Sequence, residues 1–277
     1  MASAVGALLR EWRTARRLSQ LELAMEVEVS TRHLSFIETG RSKPSREMVL
    51  LLSSALDVPL RDRNALLHAA GYAPAYRETD LMSPEMEQMR QALKLILRQH
   101  EPFIAVAFDR SRDLVMFNEA FARLAGFLGM ADRLRDPPLT VTRPPRLNLV
   151  HLLFAPEGLR PFIANWEQVS QAVVARVRRE AAVDRDPATQ QLLESLQAYP
   201  GVVTRQRETA PQDPLELVLP VEMRIGEQTL RFFTTLTSLG TPLDVTLQEL
   251  HIESFHAADV PTERLIREFA KAQERRV

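Results

Sequence analysis

LSQLELAMEVEVSTRHLSFIETGRSKPS, residues Leu18 to Ser45, holds two short amphipathic helices, each with its own start signal and separated by a tight turn. Ser19 opens the first. Glu22, three residues later, completes a capping box, and Leu18 and Leu23 stand where a hydrophobic staple would sit. Leu23, Ala24 and Val27 supply the inner face, and Ala24 is small enough to let a second helix approach closely. Ser30 caps the next helix, with Val29 and Leu34 as a second staple and Leu34 and Ile37 facing inward. Gly40 is placed to stop this helix in a left-handed cap. Thr31, Arg32, Ser35 and Phe36 avoid the core and point outward.

The flanks extend this pattern into a bundle. Val5, Leu8, Leu9 and Trp12 recur at i, i+3, i+4 and i+7, which marks one buried helical face. Ser45 caps a fourth helix carrying Met48, Leu51, Leu52 and Ala55, and Asp62 to Ala70 forms a fifth, closed by Gly71. The sequence therefore predicts five short helices over residues 1–72.

Composition narrows the class. At 277 residues, two domains are the better prior. No apolar run is long enough to span a bilayer; Leu147 to Pro156 is too short and contains His151. The N-terminus lacks the long apolar stretch of a signal peptide, because Arg10 and Glu11 enter early. Absence of cysteine removes disulfides, thiolate metal sites and thiol nucleophiles. A cytoplasmic chain with no membrane segment is expected. Net charge is −1, but residues 1–72 hold ten Lys/Arg against eight Asp/Glu, a local net of +2. That asymmetry suits a small basic edge, where placement matters more than the sum.

Two capped helices joined by a tight turn, the second with polar outward residues and a basic loop after it, form a helix-turn-helix layout that lays its second helix in the DNA major groove. The segment resembles the Cro/CI, or xenobiotic-response-element, type of helix-turn-helix. The matching residues are Arg13, Ser19-Gln20, Leu23-Ala24, Val29-Ser30, Leu34, Ile37-Glu38, Gly40 and Lys43-Pro44-Ser45. One departure is Glu28, at a turn position that usually carries glycine; a positive φ there costs about 1 kcal/mol relative to glycine. Arg32 can bond a guanine bidentately or rest on a phosphate, and Phe36 or Thr31 can touch a thymine methyl, while Phe36 can equally pack on a neighbouring helix. Ser35 shares their face. Arg41 and Lys43 fall in the following loop, where phosphate contact is expected. The resemblance implies that Gln20 anchors a phosphate with help from the helix dipole, and that Arg13 and Glu38 form a structural salt bridge. Double-stranded DNA is the expected partner and a homodimer the expected state, since two-fold symmetry matches paired half-sites.

Beyond Ala73 the pattern changes. Residues 73–100 read as a linker followed by a connecting helix, Glu85 to Gln99, with Met86, Met89, Leu93, Ile96 and Leu97 on one side. Phe103 to Phe108 and Leu114 to Phe117, around the polar Asp109 to Asp113, read as a β-hairpin. Asn118 caps a helix ended by Gly126, Leu159 to Ala182 reads as one long helix, and Ala188 to Gln197 as another. Three strands follow: Leu215 to Arg224, Gln228 to Thr237 and Val245 to Phe255, the first two joined at Gly226-Glu227. Pro261 starts a charged helix over 261–277. The fold class is α+β, a helical bundle followed by a PAS-like antiparallel sheet with helices over 101–260. Arg112 stands where PAS turns often have glycine.

HLLFAPEGLRPFIANWEQV and LRFFTTLTSLGTPLDVTLQELHIESFHAAD resemble the MmyB-like ligand-binding domain found behind this type of helix-turn-helix. The resemblance implies a sensor whose apolar cavity holds a fatty acid or similar lipophilic molecule. Phe103, Phe117, Phe121, Phe162, Trp166 and Phe233 are the candidates for its lining, or for ordinary core. No catalytic site and no metal are expected. The six histidines show no ligand spacing, and His251 and Glu253 share a strand face that His256 does not. No phosphate loop or nucleophile elbow is present, and Asp184 and Asp186 sit in a charged loop. The alternative to a ligand sensor is a C-terminal module with a filled core that serves dimerisation or protein interaction.

Overall fold

The computed structural model describes residues 4–184, 187–202 and 220–274. Asp186 and the N-terminal part of the strand expected from Leu215 lie outside the described residues. Two compact units divide the chain: Met1–Thr79 with Gly240–Gln248, and Asp80–Leu239 with Glu249–Val277.

In the first unit, α1 (Ala4–Ala15), α2 (Gln20–Glu26), α3 (Thr31–Glu38), α4 (Arg46–Ala55) and α5 (Leu60–Ala69) follow one another. The capping box at Ser19 forms as the sequence predicts: Ser19 Oγ accepts from the Glu22 amide at 3.1 Å, and Glu22 accepts from the Ser19 amide at 2.6 Å. Ser30 and Ser45 cap α3 and α4 in the same way. Each cap satisfies an amide that the helix leaves without a partner. Val5, Leu9, Leu23, Leu34, Ile37 and Leu52 are fully enclosed in one core. In α4 the inner face is Val49, Leu52 and Ser53, Leu56 is buried at the C-cap, and Leu51 faces out.

Two contacts lock α1 onto α3. A Cβ at Gly6 would lie 2.4 Å from the Ile37 carbonyl oxygen, so only glycine permits this approach. Arg13 meets Glu38 through two parallel bonds of 2.7 and 2.9 Å, and its third nitrogen donates to the Leu18 carbonyl. Glu38 Oε2 also accepts from Gln20 at 2.7 Å, so one buried carboxylate joins α1, α2 and α3. Glu28 has φ 55, the strained left-handed backbone that its glycine-like position implies.

Val245–Gln248, expected as the start of a strand, is instead a single helical turn, α11, within this first unit. Asp244 sets it up by accepting from the Thr246 amide at 2.9 Å and from the Thr79 hydroxyl at 2.6 Å. Val245 is buried and donates to the Arg77 carbonyl. Gln248 Oε1 accepts from the Leu60 amide at 2.6 Å, which serves the N-terminus of α5, where Pro59 offers no side-chain cap.

The second unit contains α6 (Glu87–Gln99), β1 (Ala105–Phe108), β2 (Leu114–Phe117), α7 (Glu119–Phe127), α8 (Leu149–Phe154), α9 (Trp166–Asp184), α10 (Pro187–Gln197), β3 (Val221–Ile225), β4 (Gln228–Ser238), β5 (His251–Ala257) and α12 (Val260–Glu274). Its five strands are antiparallel in the order β2-β1-β5-β4-β3. β1 and β2 are buried at every position, which explains their unbroken apolar runs. Asn118 caps α7 through the Phe121 amide and ties that cap to the Ala105 amide and the Phe103 carbonyl. Arg112 takes φ 68 in the β1–β2 turn, and its side chain is buried against Glu180 and over the Phe108 ring at 5.0 Å. An ion pair and a ring contact thus hold an arginine in backbone that glycine would adopt freely.

The long helix expected from Leu159 is interrupted. Arg160–Phe162 forms a 3-10 turn, and the chain then runs extended beside β3 before α9 begins. Ala164 donates to the Glu222 carbonyl at 2.7 Å, and Asn165 bonds both the Pro220 carbonyl and the Glu222 amide. Sheet-edge pairing displaces the helical turn that the apolar spacing suggests.

Removing one member of a buried ion pair leaves the other charge uncompensated, at a cost of about 3–5 kcal/mol. Glu38→Ala should therefore lower the unfolding free energy of the first unit by that amount in a denaturant titration, and a loss below about 1 kcal/mol would contradict the buried-pair account. Glu28→Gly should raise it by about 1 kcal/mol by relieving the left-handed strain.

Candidate nucleic-acid interface and apolar cavity

The sides of α3 divide sharply. Leu34, Ile37 and Glu38 are buried, whereas Arg32 is exposed and Thr31, Ser35 and Phe36 are half-buried. All four candidates for base contact thus share the outward side of one helix. Arg41 and Lys43 are exposed in the loop that follows, beside Arg46 at the first turn of α4. Four exposed cations thus fall within residues 32–46, the kind of group that a phosphate-facing edge requires. Lys43 Nζ lies 5.1 Å from the Tyr72 ring centroid, and the Tyr72 hydroxyl donates to the Pro44 carbonyl at 3.1 Å. Nothing local to Tyr72 points to this role: an aromatic just past a terminal glycine carries no signal of which loop it will meet.

Gln20 sits at the first residue of α2, but its amide nitrogen is turned inward to Glu38. Beside it, Glu38 raises the pKa of Arg13 chiefly by hydrogen bonding, against the opposing effect of burial. The guanidinium stays charged and is held within the bundle, which leaves its role architectural.

In the second unit an apolar cavity of about 160 Å³ opens between the sheet and two helices. Phe103, Leu124, Phe127, Leu230, Phe232 and Phe269 supply much of its wall. Arg123 and Gln228 are its polar members, and Arg123 is paired with Glu101 at 2.6 Å. From α12 come Leu265, Ile266, Phe269 and Ala270. The legible signal was the apolar spacing within an otherwise charged helix, four residues from Leu265 to Phe269.

Of the six aromatics expected at a ligand site, the structure places Phe103 on this cavity. Phe117 and Phe121 pack against each other in the core at 5.6 Å. Trp166 meets Phe154 edge-on at 5.0 Å, with Arg160 above its ring, and Phe162 joins the neighbouring cluster around Ile163. Phe233 stacks on His256 at 4.9 Å, and burial and the neighbouring His100 lower the His256 pKa. Among the described residues no group of three His, Cys, Asp or Glu side chains is arranged to hold a metal ion, and no helix is long and apolar enough to cross a membrane.

Comparison with known families gives two matches. Residues 89–268 match the MmyB-like transcription regulator ligand binding domain, and residues 9–62 match a helix-turn-helix. No curated protein matches the chain. The helix-turn-helix match contains α2 and α3, and the ligand-binding match covers the cavity lining from Pro102 to Ile266, with Phe269 and Ala270 just beyond it.

An arginine that reads a base and one that rests on a phosphate differ in the outcome of their removal. Arg32→Ala should relax the preference at one base-pair position by about 1–3 kcal/mol, measured by selection from a random duplex library. An unchanged preference profile with evenly reduced affinity would reassign Arg32 to phosphate.

Proposed function

The chain belongs to the MmyB-like transcription regulators, and on that premise we propose that it acts as a homodimer on a near-palindromic operator, under the control of a small apolar ligand in the cavity of its second unit. One α3 covers one half-site, so a two-fold dimer matches an operator with paired half-sites. Thr31, Arg32 and Ser35 face the bases, Phe36 shares their side of α3, and Arg41 and Lys43 face the phosphates. Gln20 adds to the phosphate contacts through the N-terminus of α2. The protein resides in the cytoplasm.

The single observation that carries the sensing half of this reading is the cavity. At about 160 Å³ it is comparable to an engineered apolar cavity of about 150 Å³ that stays dry and takes benzene. It is smaller than the roughly 300–1,000 Å³ of a pocket for a drug-sized molecule. A short apolar group therefore fits as the cavity stands, and a fatty-acyl chain requires α12 or the exposed Phe127 and Phe269 to move aside. The strand order β2-β1-β5-β4-β3 supports a PAS-like sensor. A second reading, a ligand-free dimerisation or interaction module, draws on the close packing of Phe117, Phe121 and Trp166 in filled core.

Denaturing the purified protein and identifying released small molecules by mass spectrometry separates the two. A stoichiometric apolar molecule is expected, and Ala120→Phe, which projects a ring from the cavity wall, should abolish its retention. A protein that releases nothing and binds no acyl chain on titration would establish the ligand-free module instead.

A further inference from the structure

Phe36 carries two guanidiniums. Arg32 lies with its central carbon 5.2 Å from the Phe36 ring centroid, and Arg41 lies 5.8 Å from the same centroid. From this geometry we propose that Phe36 is a positioning residue of the DNA interface, which holds Arg32 and Arg41 at a fixed spacing, and that it does not itself read a base. The proposal rests on the reading of α3 as the recognition helix.

Local structure brings the two arginines to one ring by separate routes. Arg32 and Phe36 are four residues apart on α3 and so share a face, and a helical aromatic side chain leans back toward the N-terminal turn where Arg32 sits. Arg41 arrives by chain reversal. α3 ends at Glu38 with Thr39 as its C-cap, and Gly40 takes φ 75. The amides of Arg41 and Ser42 then both donate to the Phe36 carbonyl, at 2.8 and 3.1 Å. The residue that terminates the helix through its backbone is thus the residue that collects both cations through its ring. A left-handed residue at position 40 is what makes this return path available.

Free arginine side chains carry much rotamer entropy, and two of equal charge on one surface repel. A shared aromatic face offsets the repulsion electrostatically and restricts both side chains before DNA arrives. Ordering completed in the free protein is ordering that binding need not supply. With two guanidiniums against it, the half-buried ring has little face left for a thymine methyl.

The test uses the full chain and the duplex that the wild-type protein enriches from a random library. Phe36→Leu keeps bulk and removes the π face, and Phe36→Tyr keeps the face. Phe36→Leu should bind about five- to thirtyfold more weakly, because two arginine side chains must then be ordered on binding instead of before it. Phe36→Tyr should stay within about twofold of wild type. In an Arg32→Ala, Arg41→Ala background, Phe36→Leu should have no further effect, because nothing remains for the ring to position. The proposal is overturned if Phe36→Leu loses the same factor in that background, or if Phe36→Tyr is as weak as Phe36→Leu. It is also overturned if the loss disappears once uracil replaces thymine in the duplex, which would make the ring a methyl contact. A wild-type chain that enriches no duplex would remove the recognition-helix reading itself, and this proposal with it.

Discussion

A single buried carboxylate organises the first unit. Glu38, at the last turn of α3, accepts two bonds from Arg13 on α1 and one from Gln20 on α2. A charge removed from water is tolerated only when its lone pairs are filled, and here they are filled by partners on two other helices. The contact therefore specifies how three short helices meet. α3 has eight residues and could not hold its own geometry in isolation. Its outward face can present Thr31, Arg32, Ser35 and Phe36 together because its inward face is fixed by Leu34, Ile37 and this ion pair. The absence of a side chain at Gly6 completes the constraint by letting α1 reach the Ile37 carbonyl.

How much of this was legible follows from the range of each interaction. Ser19, Ser30 and Ser45 cap amides three residues away, so local sequence was enough to locate α2, α3 and α4. The outward face of α3 followed from helical period alone. Contacts set by distant segments were not readable. The stretch VTLQELHIESF alternates like a strand, yet its first four residues form a helical turn, because Asp244 and Gln248 have partners at Thr79 and Leu60. The apolar spacing after Leu159 is helical, yet Ala164 and Asn165 pair with the edge of β3. Gly6 and Tyr72 carried no local signal, since what matters about each is the element across from it.

The second unit shows the same limit at its cavity. Periodicity identifies which aromatics turn inward, and Phe117, Phe121 and Trp166 do so. It does not distinguish a ring that fills the core from one that borders a void. That distinction depends on whether facing side chains close the gap. Around Phe103 they do not, because α12 and α7 contribute walls that stand off from β4. A charged helix, α12, thus supplies Leu265, Ile266 and Phe269 to an apolar cavity. Arg112 is a related case: its distant partners Glu180 and Phe108 hold an arginine in left-handed backbone.

The proposed control requires that the state of the apolar cavity in one unit change how the helix-turn-helix in the other binds DNA. Linkage requires that a ligand able to alter DNA affinity bind the DNA-bound and free protein unequally. The most direct measurement compares the affinity of the full chain for its selected duplex before and after extraction of bound apolar molecules, at one fixed salt concentration. The account predicts that the two binding curves separate, and that re-addition of the extracted molecule restores the first. Superimposable curves, from protein shown by mass spectrometry to differ in occupancy, would contradict it.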